Sequence, residues 1–328
     1  MTEPGGDVAA RAAELASRAR EPAVTANVLH GTAGWTDRSL LEAGLFYPRG
    51  LKTGKERLAF YAKHFPVVEV DATYYTIPSP EVARGWVAST PSEFVFDVKA
   101  HPVFTGHPID VTRLSRELRA RIPESEGARI RPDRLPPEVG GLLVDAFRDF
   151  VAPLVEAGRL GAVFVQFPPW FSSTRGNARR LEKVRESLRG LPIAVEFRHG
   201  SWLEPARLPR VTALLRDLGA SYVVVDEPAV RGGGVPPTVL VTNDDLAVVR
   251  FHGHNVAGWH RGASVAERFD YLYSPEELAA WVPAVKNLSG RARRVHAIFN
   301  NCVRNYAVLD AKGLSVLLAE ATSTKEGG

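Results

Sequence analysis

The sequence predicts an α/β fold, a single (β/α)8 barrel with a helical insertion after the third strand, and three observations carry that expectation. A short apolar run followed by a polar cluster recurs eight times along the chain. Segments with apolar residues at helical spacing separate the runs, the alternation of a parallel sheet covered by helices. The 328 residues also accommodate a barrel of about 250 residues with insertions. An open doubly wound sheet alternates in the same way, but no GxGxxG spacing follows any strand, and the count of eight favours the barrel.

In chain order, residues 1–27 form a polar, Ala- and Arg-rich arm with no apolar signal-peptide core, read as peripheral and holding a short helix. The barrel is expected over 28–320 and a disordered tail over 321–328. The eight runs are "NVLHGTAGW", "VVEVDATYY", "FVFDVKAH", "AVFVQFPPW", "IAVEFRHGSW", "YVVVDEP", "AVVRFHGHN" and "VHAIFNN". Helical spacing is clearest in "GKERLAFYAKHF", "SPEVARGWVAST", "ARRLEKVRESLRG", "EPARLPRVTALLRDLG" and "SPEELAAWVPAVKNLSG". Several of these open on Ser-Pro-Glu, which places a cap, a proline in the first turn and an acid at the positive end of the helix. The 101–158 segment exceeds a normal loop. Its "VTRLSRELRARI" reads as an extra helical excursion ahead of the regular helix in "PEVGGLLVDAFRDFVAPLVEAG". The 253–274 segment is also long and carries Trp259, Tyr271 and Tyr273. "RGGGVPP" reads as a flexible connection.

Composition narrows the class. A chain 45% hydrophobic and 24% charged is that of an ordinary globular protein, and no apolar stretch approaches the roughly 20 residues that span a bilayer. No membrane partner is expected. The single cysteine, Cys302, excludes an intrachain disulfide and a zinc site built on several cysteines, so the cytoplasm is the expected compartment. The net charge of +4 is mild, and the arginines are spread over helical segments, which favours solvated helix faces over a nucleic-acid surface. Oligomeric state is not legible.

The chemistry lies at the strand ends. Alternate residues of a strand share a face, so Glu69 with Asp71, Asp97 with Lys99, Glu196 with Arg198, and Arg250 with His252 each point one way. Gln166 and Asp226 end their strands. The interleaved Val, Phe and Ile positions face the helices. In a barrel the inward residues near the strand C-termini line the mouth where active sites sit.

In "HGTAGWTD", "FYP", "VVEVDATYYTIPSPEVARGW", "FVFDVKAH", "FVQFPPWF", "AVEFRHGSW", "VRFHGH" and "IFNN" the chain resembles the YecE-like family, the domain of unknown function DUF72, from about His30 to Leu314. The resemblance implies a TIM-type barrel and brings no established reaction. The family usually has Asn-Ser-Thr-Phe-Tyr where this chain has Asp71-Ala72-Thr73-Tyr74-Tyr75, an additional carboxylate at the mouth.

From these residues the expected function is acid–base chemistry, hydrolase- or lyase-like, on a small anionic substrate. Glu196 and Glu69 are the candidate carboxylates, with His252 and Asp226 as further catalytic groups. Lys99, Arg198 and Arg250 would bind the anion, with Gln166, Tyr75, Asn300 and Asn301 as further substrate contacts. The competing reading of the charges is a self-neutralising ion-pair network. A divalent metal has candidate ligands in Glu69, Glu196, Asp226, His199 and His252, but no HxH, HxxxH or HExxH spacing, so no cofactor is favoured. Two carboxylates and Trp35, Trp170, Trp202 and Trp259 also suit a glycosidase, though the cations at the mouth fit an anion better than a neutral sugar. The alternative is a non-catalytic barrel that binds a ligand or, through the basic residues of 110–135, nucleic acid.

Overall fold

Eight parallel strands carry the fold: β1 (Val28–Ala33), β2 (Val67–Val70), β3 (Val95–Lys99), β4 (Leu160–Gln166), β5 (Ile193–Glu196), β6 (Ala220–Asp226), β7 (Leu246–Phe251) and β8 (Arg294–Phe299). They follow one another in the sheet as β1-β8-β7-β6-β5-β4-β3-β2, and β2 pairs with β1, so the fold is a (β/α)8 barrel. The computed structural model describes residues 6–124, 127–228, 234–259 and 264–323, except for the side chains of 265 and 266. Residues 231–233 of "RGGGVPP" lie outside the described residues. Within the fold the chain forms two compact units, one of residues 1–69 with 221–328 and one of 70–220.

In the first unit the helices read from the sequence form where their caps are. Thr53 opens the helix Gly54–His64, and Ser274 opens the helix Pro275–Ser289, each in a reciprocal capping box with the glutamate three residues on. The strand alternation is settled by what the odd positions touch. Phe251 of β7 meets Trp281 of the helix Pro275–Ser289 edge-on at 5.2 Å, so Arg250 beside it points away from the helices. The amino-terminal segment carries a helix that packs on the rest of the unit. Its helix Gly6–Ser17 buries Ala12, Leu15 and Ala16, and Leu15 reaches the helix Tyr306–Ser323 at Gly313, where a Cβ would lie 3.2 Å from it. That last helix continues through Ser323, past the expected start of the tail.

In the second unit Phe96 of β3 stacks on Trp86 of the helix Pro80–Val87 at 5.9 Å, which turns Asp97 to the other face. The insertion follows β3, as expected, but it is mixed rather than purely helical. "VTRLSRELRARI" holds only a 3-10 turn, Val111–Arg113, and a four-residue helix, Arg116–Arg119. A two-stranded antiparallel hairpin pairs Ile109–Asp110 with Arg129–Ile130. The apolar residues explain the difference. Ile109, Leu114, Ile122 and Ile130 bury themselves with Val139 and Leu143 of the helix Pro137–Glu156 in a small core of their own. Three or four anchors suffice for such a cluster, so no long amphipathic helix is required.

Gly31 of β1 packs directly against the backbone of β2. A Cβ there would sit 2.2 Å from the Val67 carbonyl oxygen of β2, a distance no side chain tolerates. Gly31→Ala is therefore expected to cost about 3 kcal/mol or more of stability, read as a drop in the urea midpoint at unchanged slope.

Candidate active site

The second unit gathers one cluster at the ends of β3, β4 and β5. Register places Gln166 of β4 opposite Glu196 of β5, and Lys99 of β3 opposite Phe164 of β4. The Glu196 carboxylate is buried and accepts a hydrogen bond from the Arg198 guanidinium at 2.8 Å. Lys99 sends its ammonium over the Tyr74 ring, 5.0 Å from the centroid, while Thr73 Oγ1 donates to the Lys99 carbonyl at 2.6 Å and anchors the strand end. A histidine that the strand alternation does not indicate completes the cluster. His107 lies edge-on to Tyr74 at 5.4 Å and to Trp170 at 5.8 Å, with its Nδ1 2.8 Å from Thr105 Oγ1. Burial, with the positive fields of Lys99 and Arg198, pushes this imidazole down to about 4 against the opposing pull of Glu196, so it is neutral at physiological pH.

The local signal for His107 is the "TGH" step. The short helix Pro102–Thr105 ends on Gly106 at φ 87°, a left-handed turn that glycine adopts without strain and that redirects the chain just before the histidine. Tyr75 is nearly half exposed, with the Arg113 guanidinium 5.1 Å from its ring centroid. Asp71 is half-buried at the end of β2, and after burial its charge is the main influence raising the Tyr75 phenol. His199 accepts from the Ser201 N–H at 3.2 Å and so caps a turn.

The first unit holds the remaining predicted residues in four arrangements. Glu69 and Arg250, both withdrawn from water, form a two-point pair: Arg250 Nε donates to Oε2 at 2.9 Å and an Nη to Oε1 at 2.7 Å. Asp226, at the end of β6, accepts from Tyr273 Oη at 2.7 Å and lies 2.8 Å from His254 Nε2. His254, two residues beyond the predicted His252, is the imidazole that this carboxylate holds. It borders a cavity of about 320 Å³ whose lining includes Tyr271 and Glu277. The hydrogen bond His254 can donate to Asp226, with the charges of Asp226 and Glu277, raises its proton affinity over the opposing effect of burial. His252 itself is buried, with Nδ1 2.9 Å from the Asn300 amide nitrogen. Asn301 is fully buried and donates to the Tyr271 carbonyl at 2.8 Å and to Asp310 at 2.6 Å, so it holds the chain that carries Tyr271 and Tyr273.

Of the four candidate tryptophans, Trp202 is buried in a stack with Phe197 and Phe171. Trp35 is buried and donates its indole N–H to the Gly54 carbonyl at 3.0 Å. Trp259 faces the Arg268 guanidinium at 5.5 Å. Trp170 stands 61% exposed. Among the described residues, no group of three or more His, Cys, Asp or Glu side chains is arranged to hold a metal ion. No described helix is long and apolar enough to cross a membrane.

The family model for the protein of unknown function DUF72 matches residues 29–327. The UPF0759 protein YunF of Bacillus subtilis (strain 168) is 31% identical over 275 residues, covering 83% of this chain and 87% of its own length. The crystal structure of a DUF72 family protein from Enterococcus faecalis V583 superposes with a TM-score of 0.72 at 29% identity, over 89% of this chain and 95% of that one. One from Thermotoga maritima MSB8 does so with a TM-score of 0.69 at 32% identity, over 89% and 98%.

Two outcomes follow from these arrangements. Arg250→Met alone is expected to cost about 3–5 kcal/mol by stranding a buried carboxylate, whereas Glu69→Leu with Arg250→Met recovers much of that loss in a denaturant double-mutant cycle. Folding raises the His254 imidazole, so its contribution to stability is complete below about pH 6.5 and is lost as pH rises through the folded value. The Tm gap between wild type and His254→Asn should therefore be wider near pH 6 than near pH 9; a gap that widens with rising pH would contradict the assignment.

Proposed function

The chain belongs to the DUF72 family, and we propose that this member is an enzyme that moves a proton on a small anionic substrate, in a hydrolytic or lyase-like step, at the ends of β3, β4 and β5. The observation that carries this reading is the company kept by Glu196: a buried carboxylate gripped by Arg198, beside Lys99 and an imidazole held neutral by its surroundings. Here a guanidinium, an ammonium and a carboxylate all act on one neutral imidazole, the mix of groups from which an anion-binding acid–base site is built.

Each residue has a role that follows from its chemistry. Arg198 and Lys99 hold the anionic group, the first as a planar fork and the second as a point charge. Glu196 takes up or delivers the proton, kept in orientation by its bond to Arg198. His107 donates an N–H to an oxygen on which charge develops; as a neutral imidazole it does this without surrendering its proton. Gln166, opposite Glu196, offers an amide to the substrate. In the first unit, His252 with Asn300 and Asp226 with His254 are further proton-carrying groups. Arg250 is held along one edge of its guanidinium by Glu69 in a two-point pair and is assigned to the scaffold.

A thermal-shift screen against phosphorylated and carboxylated metabolites is expected to find compounds that raise the Tm, and Lys99→Met should abolish the shift. On the compound so identified, Glu196→Gln should still bind and fold but lose about 10²–10⁴ in turnover. Wild-type turnover by that variant would remove Glu196 from the chemistry.

A further inference from the structure

An aromatic row runs through the same unit. Tyr75 meets Tyr74 edge-on at 5.2 Å, Tyr74 meets His107 at 5.4 Å, and His107 meets Trp170 at 5.8 Å. Its two ends are the exposed ones: Tyr75 is 46% and Trp170 61% accessible. Cations lie over two of the rings, Lys99 on Tyr74 and Arg113 on Tyr75.

The exposure of Trp170 is imposed by rigid backbone. Pro168 and Pro169 fix the chain ahead of it, the Phe171 N–H donates to the Pro168 carbonyl at 2.9 Å, and the Ser172 N–H donates to the Trp170 carbonyl at 3.0 Å. The turn sends one ring in and its neighbour out. Phe171 stacks on Phe167 at 3.9 Å and is buried, whereas the indole of Trp170 faces water. Beyond its edge contact with His107 the indole leaves most of its surface open, at the end of a row of rings on which a further ring can stack.

We infer that the anion received at this site carries a planar heteroaromatic ring, as a nucleotide does, and that the ring stacks on Trp170 while the phosphate meets Lys99 and Arg198. The inference rests on the anion-binding reading above and adds to it the class of substrate. Cations account for a phosphate or a carboxylate by themselves; the row of rings accounts for the rest of the ligand. Alternating aromatic and basic side chains are the means by which proteins hold nucleotides, free or in a single strand, because every base presents a π face.

The test is isothermal titration of the whole chain with adenosine 5′-monophosphate, ribose 5-phosphate and a short oligodeoxyadenylate. The mononucleotide or the oligonucleotide should bind about tenfold or more tightly than ribose 5-phosphate. Trp170→Ala should erase that advantage while leaving ribose 5-phosphate affinity unchanged, and Trp170→Phe should restore most of it; unchanged far-UV circular dichroism and Tm check the fold of each variant. Preference for the oligonucleotide over the mononucleotide assigns the ring to a single strand, and the reverse assigns it to a free nucleotide; either supports the inference. Equal affinity for ribose 5-phosphate and the nucleotides overturns the stacking role and leaves the anion site standing. If no phosphorylated or carboxylated compound binds at all, the anion site itself fails, and the inference with it.

Discussion

Charge withdrawn from water is the constraint on which this barrel is organised. The Arg250 guanidinium and the Glu69 carboxylate are almost wholly inaccessible, and neither is tolerable there alone. At an effective dielectric near 20 their attraction is roughly 4 kcal/mol, comparable with what it costs to strip each ion of its water. The pair therefore adds little net stability but is exacting in geometry. Two parallel N–H···O bonds at 2.9 and 2.7 Å set the direction of both side chains. Once they are satisfied, β2 and β7 have no freedom to rotate either residue, and neighbouring positions inherit that alignment.

Pairing of inward polar groups recurs in each unit, although both ring nitrogens of the buried His30 have no hydrogen-bond partner among the described residues. Asp226 is satisfied by Tyr273 and His254, Glu196 by Arg198, and Asn301 by Tyr271 and Asp310. Asp310 shows the alternative to pairing: burial raises its carboxyl well above the usual carboxylate range, and it accepts from the Asn301 amide and the Tyr273 N–H. The outward positions carry the opposite chemistry. Phe96 against Trp86 and Phe251 against Trp281 seal strands to helices with rings, and this apolar packing holds the polar ends in place. Side chains that project from strands are positioned more closely than those on loops, which suits proton transfer over a few tenths of an ångström.

The residues that give the second unit its chemical character come from both kinds of place. Glu196 and Lys99 stand on strands, whereas His107 and Trp170 stand on turns locked by Gly106 and by Pro168–Pro169. Locking matters because a loop residue contributes to binding only if little conformational freedom remains to be lost. Glycine at positive φ and consecutive prolines achieve this by different routes, one permitting an otherwise strained turn and the other removing alternatives.

The eightfold recurrence of an apolar run and a helical segment indicated the barrel, and period-two reading of "VVEV", "FVFDVK", "IAVEF" and "AVVRF" indicated the face on which Glu69, Asp97, Glu196 and Arg250 lie, because alternation is a local property of extended chain. Capping at Thr53 and Ser274 was equally local. What each charge is paired with was not. Whether Glu69 belongs to Arg250, and whether Asp226 holds His254 rather than His252, depends on groups 181 and 28 residues apart in the chain. His107 escaped the strand pattern because it follows a turn, where periodicity ends, and the insertion formed a hairpin because its few apolar residues found one another rather than a helix face. The sequence by itself specified which side chains would be driven inward; only tertiary structure decided their partners, since desolvated charges and rings choose by distance in space and not along the chain.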